Sequence, residues 1–159
     1  MAVKYDFSDI SKAMDEFYNE IIAYLVELGE SAYKTAVDSG KYQNITGNLR
    51  SSIGYVITMN GKIVKEGGFT KIQGRGINYQ KVDFTTKNEK VVSFWAKGKS
   101  GDGSEGSKQG LEYARSLALQ LTKGFTLIVV AGMDYASYVN SKGLDVIDTA
   151  EAKVITMLK

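Results

Sequence analysis

The residues that could carry chemistry in this 159-residue chain are carboxylates, lysines, arginines and tyrosines, because the sequence contains no His and no Cys. Imidazole is the usual acid–base group near neutral pH, and zinc sites usually draw on His or Cys, so the common forms of both are out of reach. The best-spaced carboxylates are Asp145, Asp148 and Glu151, three apart on the expected first turns of a C-terminal helix, where the helix dipole favours acids for structural reasons alone. "GKS" at 98–100 suggests a phosphate loop, but the required earlier glycine position, 93, is Ser, and glycine-rich coil follows instead of a helix. "GRG" at 74–76 starts a dinucleotide-like pattern that fails at Tyr79, and "DGSEG" at 102–106 lacks the ligand spacing of a calcium loop. The sequence nominates no catalytic, cofactor or metal-binding residue.

Two features remain. Tyr135 and Tyr138 lie three apart just after an apolar run, as a ligand shelf, a packing corner or a contact between subunits would require. The stretch "GGFTKIQGRGINYQKVDF" interleaves basic and aromatic residues, a composition that suits stacking on single-stranded nucleic acid and equally an ordinary twisted hairpin.

These residues need elements to hold them. The length suits one domain over residues 1–159, and 43% hydrophobic content supports a folded core. No apolar run is long enough to span a membrane, and the start "MAVKYDFSDISKAMDEF" lacks the apolar block of a secretory signal. Ile10, Met14, Phe17, Ile21, Leu25, Leu28, Ala32 and Ala36 predict one helix over 9–39, capped by Ser8 or Asp9 and ended by a left-handed Gly40. Tyr18, Ile22, Val26, Tyr33 and Val37 add a second apolar strip, more than one small core needs, and Gly29 marks a close approach or a bend. Strands are expected at about 50–58 and 62–66 around an Asn60-Gly61 turn, and at 90–97. A flexible Gly-rich loop at about 97–110 precedes a helix over 111–124, then a central strand at 125–131 buried on both faces, then a helix from about Asp145. Tight hairpins favour an α+β fold: a long N-terminal helix packed on a small antiparallel sheet, with a second short helix and a C-terminal helix.

Charge is segregated. Residues 1–40 carry three Lys against eight acids, a net −5, while residues 60–100 carry nine Lys/Arg against three acids, a net +6. The segments form either two solvated faces, a head-to-tail contact between copies with acidic helix on basic strands, or a basic face turned to a polyanion.

"TGNLRSSI" (46–53) after a long amphipathic helix, together with "AGMDYASYVNSKGLDVIDTAE" (131–151), resembles the head–tail connector (neck or tail-completion) proteins of long-tailed bacteriophages and prophages. In that family a "TGNLR"-like turn leads from a long helix into the first strand, and a "YA.YVE.G"-like segment follows the last strand. Thr46, Gly47, Asn48, Leu49 and Arg50 match the first pattern; Tyr135, Ala136, Tyr138, Val139 and Gly143 match the second. Asn140 replaces the usual acid, Lys142-Gly143-Leu144 replaces the common Gly-Thr, and residues 66–124 have no counterpart in the short members.

The resemblance implies a non-enzymatic virion subunit without cofactors, made in the bacterial host cytoplasm. It would form a ring, often hexameric, at the head–tail junction, between the portal-side connector and the tail-tube proteins. Double-stranded DNA would pass through the lumen without sequence-specific binding. On that reading the subunit-interface candidates are Tyr33, Arg50, Tyr135, Tyr138, Asn140 and Lys142, with Arg50 paired to an acid and the two tyrosines bracing the last strand against the final helix. The basic residues facing the DNA channel or a partner would be Lys71, Arg75, Lys81, Lys97 and Lys99. The alternative is a nucleic-acid-binding module using the basic 60–100 segment; an enzyme working through Lys, Tyr or carboxylates is the third and weakest reading.

Overall fold

Apolar residues every three or four positions give α1 (Ser8–Ser39), and the period-two stretches that follow give strands. The computed structural model describes residues 1–75, 79–86, 90–97 and 101–159. After α1 come α2 (Asn48–Ser51), β1 (Ile53–Met59), β2 (Lys62–Gly68), β3 (Tyr79–Thr85), β4 (Val91–Lys97), α3 (Ser104–Ala118), β5 (Phe125–Ala131), α4 (Ala136–Ser141) and α5 (Asp148–Met157). The fold is α+β, with a long N-terminal helix on a small antiparallel sheet, as the hairpin argument predicted. No helix among the described residues is long and apolar enough to cross a membrane.

The main sheet runs β2-β1-β5, antiparallel throughout, and β3–β4 form a separate antiparallel pair. Alternation sends Ile53 and Val129 to one face, where Ala32 and Ala36 of α1 and Ala150 of α5 cover them. It sends Val56, Ile128 and Val130 to the other face, onto Ala114 and Ala118 of α3 and onto Phe69. Asn60 and Gly61 take φ of 50° and 78°, the two left-handed positions that the expected tight turn between β1 and β2 demands. Gly29 marks a close approach: the ring of Tyr55 lies where a Cβ would go, 2.5 Å from its Cδ2.

Several expectations change. The Gly-rich stretch is not a loop to residue 110, because α3 begins at Ser104 and packs Gly106 and Gly110 onto the backbone of Asn48 and Ser52. Glycines at 103, 106 and 110 continue into Ala114 and Ala118, a stripe of small side chains at helical spacing that lets two backbones touch. The helix ends at Ala118, with Leu119 as its C-cap, well before Gly124. β5 is an edge strand and β1 the central one; β5 is apolar on both faces because helices cover both, while its outer edge stays open. Residues 48–51 form a helical turn before β1, Phe7 caps α1 without a side-chain bond, and Gly40 has φ −55°, outside the left-handed region. The helix expected from about Asp145 is α5, which begins at Asp148, and a further short helix, α4, precedes it.

Candidate functional site

The two sequence patterns that carried the family resemblance meet in space. Gly47, at φ 83°, turns the chain into α2 and sends the Leu49 side chain into a cluster with Tyr42, Ala136 and Val146. Val139 and Leu144 pack on the same cluster from the second pattern. Every other side chain of α2 makes a tie. Asn48 Nδ2 donates to Glu105 at the start of α3 (3.1 Å), and Ser51 Oγ accepts from the Ile72 amide (2.7 Å). Arg50 Nη2 donates to the Gly40 carbonyl at the end of α1 (2.9 Å). The "TGNLRSS" segment is thus a buried junction, and a notch of about 250 Å³ opens between residues 42–49 and Tyr135 and Val139.

The interface candidates separate on this geometry. Arg50 pairs with no acid among the described residues; its partner is the partial negative charge of a helix C-terminus, with the Tyr42 ring centroid 5.4 Å from the guanidinium carbon. Tyr33 is half-buried against the core that α1 and α5 share, beside Gly68. Tyr135 leans into the notch, and Tyr138 is 64% exposed with Lys142 Nζ 5.2 Å over its ring. Neither tyrosine braces the final helix. Asn140 does that work: its Nδ2 donates to Asp148 (2.8 Å) and its Oδ1 accepts from the Val146 amide (2.8 Å). A lone Asn near the end of a six-residue helix gave no sequence signal for that role.

The second group of candidates lies on and below the β3–β4 pair. Lys71 and Arg75 are exposed on the segment leading to it, whose backbone is held by bonds from Arg75 N to Asn44 O and from Gly74 N to Gly101 O. Lys81 is exposed and 3.7 Å from Asp83, and Lys97 closes β4 opposite Tyr79. Lys99, the "GKS" run and Gly76 of "GRG" lie outside the described residues.

Two apolar surfaces stay exposed, and only the one on α1 was expected from its surplus apolar strip. In the β3–β4 register Val82 faces Phe94 and Phe84 faces Val92, so all four share one side of the hairpin. Phe84 and Phe94 meet edge to face at 6.3 Å, yet each is nearly half exposed, because the hairpin packs on little besides itself. Even-numbered alternation in "VDF" and "VSF" was the available signal. The first half of α1 is the other surface: every residue from Ser8 to Phe17 is exposed, including Ile10, Met14 and Phe17 of the apolar stripe. A helix of 32 residues extends about 48 Å, and the sheet covers only its second half.

Titration offers no group poised near neutral pH among those with a resolved shift. Burial raises the Tyr42 and Tyr135 hydroxyls, and burial with a bond to Glu30 pushes Tyr55 up to about 12. A bond from Ser104 lowers Asp102, and one from Thr149 lowers Asp145. Among the described residues no three acidic side chains gather as a metal site would require.

Comparison of the chain with protein-family models, with curated proteins and with solved structures finds no match.

Proposed function

We propose that this chain is a structural subunit of a bacteriophage or prophage head–tail junction, catalytically inert, assembling as a ring around the path of double-stranded DNA. One observation carries the reading: two amphipathic projections, the first half of α1 and the β3–β4 hairpin, expose apolar faces that the other described residues leave uncovered. They differ in charge. α1 holds seven acids against two Lys, a net −5, and residues 69–97 hold six Lys/Arg against two acids, a net +4. Opposite charge on two non-equivalent surfaces suits a head-to-tail contact, which closes into a ring when its rotation closes. Portal-side and tail-tube proteins would then meet the two faces of that ring in the virion.

The test is sedimentation of the purified chain with electron microscopy of the heavy fraction. The reading expects annular particles, and it expects Phe17→Ser to reduce the assembled mass while leaving thermal stability within error. A single-chain mass at every concentration overturns it. Lys81 and the 65% exposed Trp95, on the hairpin side opposite Phe84, favour one second reading, binding to single-stranded nucleic acid. Affinity for short DNA that falls steeply with added salt would support that alternative.

A further inference from the structure

The two edges of the main sheet are built differently. On β2, Lys62, Lys65 and Glu66 interrupt the strand, the register slips between Ile57 and Thr58 of β1, and Arg115 of α3 pairs with Glu66 at 2.7 Å. Charges and a bulge of this kind keep an edge from recruiting another strand. β5, "FTLIVVA", has no charged residue and no irregularity in its pairing with β1.

Its hydrogen-bond directions follow from its two ends. Asn60 N donates to Gly124 O, and Gly132 N donates to Ser52 O, both in register with the β1–β5 ladder. Antiparallel pairs alternate between bonded and non-bonded, so Thr126, Ile128 and Val130 point their backbone groups at β1. Phe125, Leu127, Val129 and Ala131 point theirs outward, and among the described residues nothing bonds to them. Beyond that edge lies a slot of about 340 Å³, walled by Tyr113 and Leu117 of α3 on one side and by Val146 and Ile147 on the other, with Ala136 at its end.

We propose that the outer edge of β5 is a strand-acceptor site, filled by the β3–β4 hairpin of a second copy of this chain. The proposal rests on the ring-assembly reading and gives it a contact mode. An isolated two-stranded hairpin is marginally stable in water, and this one offers a free apolar side of Val82, Phe84, Val92 and Phe94 to match the apolar slot. Charge agrees. The hairpin strands carry Lys81 and Lys97 against Asp83, a net +1, with Lys90 just before β4, while Asp134, Asp148 and Glu151 stand around the slot. Addition of an extended segment to an open edge supplies main-chain bonds for affinity and side-chain pockets for selection.

Amide hydrogen exchange of the full chain, dilute and concentrated, with sedimentation in parallel, tests this. On assembly the outward amides of Leu127, Val129 and Ala131 should slow by about tenfold or more, whereas those of Thr126, Ile128 and Val130 should be slow at both concentrations. Val129→Pro, which removes an outward N–H and no β1 bond, should abolish the change. Phe84→Ser with Phe94→Ser, in a hairpin that the body does not lean on, should abolish it even where the proline variant fails to fold. Assembly with the outward amides still fast overturns the edge site and leaves the ring reading standing. Protection that survives the double serine variant overturns the hairpin as occupant. A chain that stays monomeric throughout overturns both.

Discussion

Arg50 donates to the Gly40 carbonyl at 2.9 Å, so the long helix α1 ends on a guanidinium supplied by the turn into the first strand. A cation at a helix C-terminus contributes up to about 2 kcal/mol when partly buried. Arg50→Met keeps the aliphatic packing and removes that charge and its bond. It should lower the unfolding free energy by about 2 kcal/mol, measured by denaturant titration. Arg50→Lys should recover only part of the loss, because an ammonium keeps the charge but lacks the forked donors and the flat face that a guanidinium stacks on the Tyr42 ring.

The contact of α3 with α2 gives the second prediction. A Cβ at Gly106 or Gly110 would fall on the backbone of Asn48 or Ser52, and backbone cannot swing aside as a long side chain can. Gly106→Ala and Gly110→Ala should each destabilise by about 1–3 kcal/mol or more, the usual range for overpacking. Gly143 has open space around it and φ 73°, so Gly143→Ala should cost only about 1–2 kcal/mol through its left-handed backbone. A thermal-melt series that ranks Gly143→Ala as the worst of the three would contradict this account.

The same contact explains what could and could not be read from the chain. Periodicity located α1, and Asn60-Gly61 located the first hairpin, because both signals are local. In "SGDGSEGSKQG" the glycines suggest mobile chain, and only the α2 surface that they pack against makes a helix of them. β5 is apolar enough for a central strand, yet its place at the edge is set by which partner closes the sheet, and no residue within it encodes that. At the candidate site, "TGNLR" and "YASYV" were legible as patterns, whereas their meeting through Leu49, Ala136 and Val139 is a tertiary fact. Arg50 was expected to find an acid because side-chain charge is visible in sequence and a helix terminus is not.

Tyr55 predicts a pH dependence at the alkaline end. Its hydroxyl donates to Glu30 at 2.9 Å, and burial with this bond pushes its pKa up to about 12, against about 10 in an unfolded chain. A raised folded-state pKa means that the neutral tyrosine stabilises the fold fully below pH about 10 and loses that contribution as pH climbs toward about 12. The wild-type advantage over Tyr55→Phe should therefore hold steady up to about pH 9.5 and shrink above it. Chemical denaturation across that window measures the difference, and a constant gap would place the stabilising bond elsewhere.

Asn140 supplies the last prediction, because it stands where the pattern that this chain resembles has an acid. Its amide donates to Asp148 and its carbonyl accepts from the Val146 backbone, fastening α4 to the start of α5. Asn140→Ala removes both bonds and should cost about 2 kcal/mol at any pH, since each net bond contributes about 1 kcal/mol. Asn140→Asp restores an acid but sets it at hydrogen-bonding distance from the Asp148 carboxylate. Two such carboxylates cannot both stay ionised cheaply, so one folded-state pKa rises above its unfolded value of about 4. The aspartate variant should be weaker than wild type at neutral pH and regain stability as pH falls toward about 4, where a shared proton rebuilds the bond to Asp148. Thermal melts of both variants from pH 4 to 8 separate the cases. A flat profile for Asn140→Asp would mean that residues 140 and 148 are not held together in solution.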